Sequence, residues 1–124
     1  MRNRLEHLAQ VQVIRWVKIL EDQYPVLKLF HAIPNGGRRS ITTARDLKAE
    51  GVRAGMPDLH LPVARGGWAG LWIEMKSEKG RVSPEQAAMH KLLTEHNNLV
   101  IVCRSSNQAI DEIKEYLSIK NPNI

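Results

Sequence analysis

Residues 99–103, Leu-Val-Ile-Val-Cys, form a continuous apolar run bracketed by two helix-start signals, and this feature narrows the fold more than any other. An unbroken apolar strand is the kind found in the middle of a sheet. Before it, in "SPEQ", Ser83 can cap a helix, Pro84 fits the first helical position and Gln86 stands three residues after the cap, as in a capping box. That helix is predicted to reach about Glu95. After the strand, "SSNQAIDEIKEYL" reads as a capped helix with Ile110, Ile113 and Leu117 on one stripe.

Upstream, Leu5, Leu8, Val11, Val13, Ile14, Val17 and Leu20 recur at three- and four-residue spacing, which predicts an amphipathic helix from Leu5 to Leu20. Trp16 falls on its apolar side and is expected in the core. "DQYP" breaks the pattern, "VLKLFHAI" reads as a short strand, and "PNGG" is a loop by its turn chemistry. A second helix is predicted from about Thr42 or Thr43 to Glu50, with Gly51 where a helix C-terminus wants a left-handed residue. Two strands follow, "DLHLPV" and "GLWIEMK", separated by the Gly-rich "ARGGWAG" in the manner of a hairpin. The order α, β, α, β, β, α, β, α describes a single α/β sandwich around a mixed sheet, one domain over 1–124 with no internal repeat and no linker.

A chain of 124 residues can bury roughly two-thirds of the surface its unfolded form exposes, so a core forms without staples. The single cysteine, Cys103, excludes an internal disulfide framework and a Cys-based zinc site. It reads as a small hydrophobe inside its apolar strand. The start lacks the apolar run of a secretory signal and no stretch is long enough to span a bilayer, so a cytoplasmic protein without membrane attachment is expected. The net charge of +5 is one-sided: residues 1–53 hold 10 Lys and Arg against 5 Asp and Glu, whereas residues 54–124 hold 8 of each. Such asymmetry suits a polyanion such as nucleic acid, and also serves solubility.

The stretch "LWIEMKSE", 71–78, sets Glu74 and Lys76 on one strand face and Leu71, Ile73 and Met75 on the other, because side chains alternate. The polar face is either solvated or a reaction centre. Asp58 opens the preceding strand; if the two strands pair, it converges with Glu74 at one end of the sheet, about 5 Å away across the ladder. Two carboxylates that close repel unless a cation lies between them, and oxygen ligands favour a hard ion such as Mg²⁺. A lysine beside the ion can orient or deprotonate a water or hold charge developing on a phosphate. Metal, water and basic surface together describe phosphodiester hydrolysis.

"GMPD" followed by "IEMK" matches the PD-(D/E)XK nuclease signature. With "HAIPNGGRR", "AEGVRAGMPDL" and "GLWIEMKSEKGRVSPEQ" around it, the chain closely resembles the VRR-NUC branch of that superfamily over nearly its whole length. The resemblance implies a restriction-endonuclease-like three-layer α/β sandwich with a central mixed sheet. It also implies that Asp58 and Glu74 are metal-binding carboxylates, that the Met75 carbonyl is a further ligand, and that Lys76 is the catalytic lysine. Glu6 of the first helix would join the site, Gln10 would share its face one turn later, and Gln86 would stand near the scissile phosphate or its water. Mg²⁺, with Mn²⁺ able to substitute, is the implied cofactor. Compact members of this family, often from phages or bacteria, act as homodimers on branched DNA such as four-way (Holliday) junctions.

Each residue also has a plainer reading. Glu74 and Lys76 could form an exposed ion pair worth little, Asp58 could cap a turn after Pro57, and Glu6 could complement the helix dipole. His31 and Asn35 flank a polar loop that could line a DNA groove, although turn formation also explains Asn35. Arg38, Arg39, Arg45, Lys48 and Arg53 gather five cations near Asp46 and Glu50, so some of them are expected on phosphates. His7, His60, His90 and His96 lack metal-ligand spacing and read as surface or packed residues. Trp68, in the Gly-rich connection, is the tryptophan most exposed to a base-stacking role.

The reading is a divalent-metal-dependent DNA endonuclease, with activity rising toward mildly alkaline pH if Lys76 acts partly as a base. Its rivals are a non-catalytic junction-binding module and a nuclease acting on flaps or ends.

Overall fold

The computed structural model describes residues 3–34 and 41–123. Asn35, Arg38 and Arg39, all expected at the DNA interface, lie outside the described residues. In chain order the elements are α1 (Arg4–Leu20), a 3-10 turn (Pro25–Leu29), β1 (His31–Ala32), α2 (Ile41–Ala49), β2 (Leu59–Leu61), β3 (Gly70–Met75), α3 (Pro84–Glu95), β4 (Asn98–Cys103) and α4 (Ser106–Ser118). Among the described residues they form one four-stranded mixed sheet, ordered β1-β2-β3-β4.

β1, β2 and β3 run antiparallel, with Leu59 opposite Ile73 and Leu61 opposite Leu71. The connection between β2 and β3 closes through an antiparallel bridge of Arg65 and Trp68, as the hairpin reading expects. β4 runs parallel to β3, with Ile73 beside Ile101 and Met75 beside Cys103. A parallel neighbour requires a crossover, and α3 supplies it.

Leu59, Leu61, Leu71, Ile73 and Met75 share one sheet face and pack with Val13 and Val17 of α1 and Ala109, Ile110, Ile113 and Tyr116 of α4. α3 lies on the opposite face, so the domain has three layers. Tyr116 carries a hydroxyl into this core and donates it to the Val63 carbonyl at 2.6 Å, which satisfies the buried group. Cys103 is fully buried there, and burial pushes its thiol up to about 12, so it packs and does not react.

Local chemistry explains the helix ends. Ser83 accepts from the Gln86 N–H while the Gln86 side chain accepts from the Ser83 N–H, the predicted capping box. Ser105 caps α4 through the Gln108 N–H, and the Asn3 side chain caps α1 through the Leu5 N–H. Gly51 follows α2 at φ +105°, the left-handed geometry expected of it.

Three expectations need correction. The segment "VLKLFHAI" is mostly a 3-10 turn that begins at Pro25 and buries Leu27, and only His31–Ala32 pair as a strand. Proline fixes φ and lacks the N–H a ladder needs, which favours a turn at its start. β4 lies at the sheet edge among the described residues, not in its middle; its apolar run reflects helices on both faces. Trp16 is 43% exposed and stands outside the core that Val13 and Val17 enter.

Candidate active site

The register of β2 and β3, continued by one residue, sets Asp58 beside Glu74 on the face turned away from the α1/α4 core. Both carboxylates are buried, Asp58 to 4% and Glu74 to 1% exposure. Burying an ionised carboxylate is costly unless hydrogen bonds or a cation compensate, so each must be held. Asp58 Oδ2 accepts the Met75 N–H at 2.7 Å, which ties the first strand's acid to the backbone beside the second. The Asp58 carbonyl in turn accepts the Ile33 N–H at 2.8 Å, fastening β1's exit to the same point.

Glu74 is held from α3. His90 Nε2 lies 3.0 Å from Glu74 Oε1, and Gln86 Nε2 donates to Glu74 Oε2 at 3.4 Å. Gln86 and His90 are four residues apart, so one helix face carries both donors to one carboxylate. An ionised carboxylate only accepts, which assigns the proton to His90 Nε2. The His90 imidazole is held below its ordinary value, first by burial and then by the Lys76 ammonium, against an opposing pull from Asp58. His90 is therefore neutral near pH 7 and faces Lys76, Asp58 and Glu74 together.

Lys76 continues the ladder past β3, its N–H donating to the Cys103 carbonyl at 2.9 Å, and alternation places its side chain on the Glu74 face. The next residue reaches α1: the Ser77 N–H donates to Glu6 Oε2 at 3.2 Å. Glu6 is thereby brought to the strand end that carries Lys76. From the other side Arg104 Nη1 donates to the carbonyls of Ser77 at 2.9 Å, Gly80 at 2.6 Å and Glu78 at 3.4 Å. The turn that joins the lysine strand to the Gln86 helix is thus gripped by a carboxylate and a guanidinium.

Gly55 explains the glycine of "GMPD". It has φ +87°, and a Cβ there would sit 2.7 Å from the Glu85 carbonyl oxygen and 3.2 Å from Met89 Cγ. The loop before Asp58 packs directly on the first turns of α3, and only glycine permits that approach. The helix carrying Gln86 and His90 is located by this contact.

The structure brings together Asp58, Glu74, Met75, Lys76, Gln86 and, through Ser77, Glu6. Arg45 and Lys48 are exposed on α2 and Arg53 is exposed after it, at a distance in sequence from the acids and facing solvent. Gln10 buries an amide oxygen that has no hydrogen-bond partner among the described residues. Sequence reasoning missed His90, whose signal was its four-residue spacing from Gln86, and Arg104, whose residue type and position gave none. His60, read as surface or packed, stacks on Trp72 with ring centres 3.7 Å apart and meets the His31 ring edge-on at 5.2 Å.

A mixed sheet between helices, with paired acids and a lysine at one strand end, defines a nuclease-type α/β domain. The chain belongs to the VRR-NUC domain family, whose model matches residues 1–107. It is similar over 98% of its length to a solved structure described as a "VRR_NUC domain protein", at 25% identity, a TM-score of 0.78 and 94% coverage of that chain. No curated protein matches it. The restriction-endonuclease-like fold expected from the sequence is the fold found.

Proposed function

We propose that the protein is a divalent-metal-dependent endonuclease that hydrolyses DNA phosphodiesters at the Asp58–Glu74–Lys76 strand ends. One observation carries the reading: two buried carboxylates stand side by side with a lysine continuing their face. A structural protein gains nothing from that arrangement, because a hydrophobic pair of similar volume would be at least as stable.

The donor set suits Mg²⁺. Among the described residues no group of three or more His, Cys, Asp or Glu side chains could hold an ion. Mg²⁺ needs only one or two carboxylates and takes its other ligands from water, backbone and phosphate oxygens. Asp58, Glu74 and the Met75 carbonyl would hold it, with Glu6 and Mn²⁺ as further ligand and substitute ion. When bound, such an ion polarises a phosphodiester and makes a coordinated water more acidic.

The chain's own groups supply the rest. Lys76 orients or deprotonates the attacking water and balances charge on the phosphate. Gln86 and His90 fix the Glu74 carboxylate, and Gln86 stands next to the water's approach. Arg45, Lys48 and Arg53, with Asn35, Arg38 and Arg39, contact the DNA backbone. The preferred substrate is branched DNA such as a four-way junction, cut by a homodimer, in a bacterial or phage-infected cytoplasm. Two-fold symmetry sets two sites against two strands of a symmetric junction.

The test is cleavage of a labelled four-way junction, a flap and a linear duplex with Mg²⁺ or Mn²⁺, beside Lys76→Ala and Asp58→Ala. Paired symmetric nicks by the wild type, with variants that bind but do not cut, support the reading. Equal binding by all three proteins with no cutting makes the domain a binding module, and a preference for flaps or ends makes it a different nuclease.

A further inference from the structure

Five positions of α1 form a stripe on the helix's solvent side: Leu5, Leu8, Gln12, Trp16 and Ile19. The four apolar members are 67%, 49%, 43% and 66% exposed, although Val13 and Val17 of the same helix are buried in the core. A contiguous apolar strip of this kind marks an interaction surface. At 1.5 Å per residue it runs about 21 Å.

The spacing says what covers it. The steps along the stripe are three, four, four and three residues, so the pattern reads the same from either end about Gln12. A two-fold axis through Gln12 would set Leu5 against Ile19 and Leu8 against Trp16 of a second antiparallel copy. Apolar pairs would meet at every level, with the one polar pair, Gln12 on Gln12, at the axis. An isologous interface has this self-complementary property. Leu5 to Trp16 and Leu8 to Ile19 are each eleven residues apart, close to three whole helical turns, so the stripe runs straight along the axis. Charge agrees with direction. Arg4 at one end and Asp22 just past the other are both exposed, and both project to the same flank at 100° per residue. Antiparallel pairing brings each arginine toward the other copy's aspartate, whereas parallel pairing would set like charges together.

We propose that two copies of this chain associate through α1, antiparallel, with the two-fold axis at Gln12. This deepens the homodimer part of the functional reading by giving its interface, but the argument rests on exposure and spacing alone. One helix pair is small beside a standard interface of about 800 Å² per partner. The dimer is therefore concentration-dependent.

Cross-linking tests the axis directly. Helices packed 8–10 Å apart, each with Cα atoms about 2.3 Å from its axis, bring facing Cα atoms to about 4–5 Å, within disulfide range. Gln12→Cys is expected to form a disulfide-linked dimer under copper-phenanthroline oxidation. Lys18→Cys, on another side of α1, is not, and the buried Cys103 takes no part. Leu5→Cys mixed with Ile19→Cys is expected to cross-link where neither does alone. By light scattering the wild type is expected at twice the chain mass, falling toward the monomer on dilution, and Trp16→Glu is expected to stay monomeric with an unchanged circular dichroism spectrum.

A wild type that stays monomeric at every concentration overturns the proposal, including one that instead binds lipid vesicles through the stripe. So does a dimer that persists in Trp16→Glu while Gln12→Cys fails to cross-link, since the interface is then elsewhere. Neither readout needs cleavage: an inactive protein that dimerises refutes the nuclease reading alone, and an active monomer refutes this one alone.

Discussion

Ile73 and Glu74 are neighbours on β3, both almost fully buried, and they face opposite ways. Ile73 faces α1 and α4 among Leu59, Leu71 and Met75, where burial is favourable in itself. Glu74 faces α3, where burial is tolerable only because Gln86 and His90 reach it, and where Asp58 adds a second carboxylate. The first face holds the fold together. The second strains it and carries the chemistry, a division between stability and activity common to enzymes.

Adjacent substitutions should split these roles most sharply. Glu74→Gln is expected to lower cleavage by at least about 10²-fold, as for loss of a charge-stabilising group. Its melting temperature should hold or rise, because one of two crowded negative charges is gone. Ile73→Ala should cost about 2–5 kcal/mol of stability, or about 10 °C or more in Tm, while the folded fraction still cuts. Thermal melts beside junction cleavage decide the matter, and a Glu74→Gln protein that is both destabilised and fully active would erase the distinction.

Gly55→Ala should be next in size, because it disturbs the seam between the Asp58 loop and α3 without touching either acid. The positive φ alone costs about 1–3 kcal/mol, and the 2.7 Å approach to the Glu85 carbonyl adds to it. Unfolding midpoints in urea measure this, and an unchanged midpoint would mean that the loop does not rest on the helix.

His90→Ala tests whether α3 merely covers the polar face or also holds it in working order. Partners that orient a metal-binding carboxylate are worth about 10–100-fold in affinity or activity. The Mg²⁺ concentration for half-maximal cleavage should rise by about that factor, with His90→Gln recovering part of it. A structural role alone would lower Tm and leave the Mg²⁺ dependence where it was.

The two faces were not equally legible in the sequence. The core face follows from periodicity: Leu59, Leu61, Leu71 and Ile73 alternate, and the hairpin that joins their strands fixes the register that pairs Asp58 with Glu74. The Ser83 and Ser105 caps were readable for the same local reason. What escaped depends on contacts between distant segments. An apolar run such as Leu99–Cys103 reports cover on both faces but not a place within the sheet. Trp16 matches an apolar stripe, but α1 has two such stripes, and only packing tells which faces the core. His90 acquires meaning only when α3 is laid over β3, and the 3-10 turn was read as a strand because Val26, Leu27 and Leu29 outweighed Pro25.

Acid should act on the polar face and spare the other. His60 lies on that face, stacked on Trp72, and its imidazole is lowered to about 4, first by burial and then by the neighbouring His31. In the unfolded chain it titrates at its ordinary 6.5. Between those values the unfolded state binds more protons than the folded one, so stability rises with pH and is lost as pH falls from about 6.5 toward 4. Allowing for solvent screening of a half-buried ring, the loss attributable to His60 is about 1–2 kcal/mol. His90, lowered in the same direction, adds to the slope. His60→Phe keeps an aromatic ring on Trp72 and removes the titration, so its Tm should fall less between pH 7 and pH 4.5 than that of the wild type. Parallel Tm curves for the two proteins would mean that protonation of His60 does not oppose folding, and the acid sensitivity of this face would rest on His90 and the carboxylates alone.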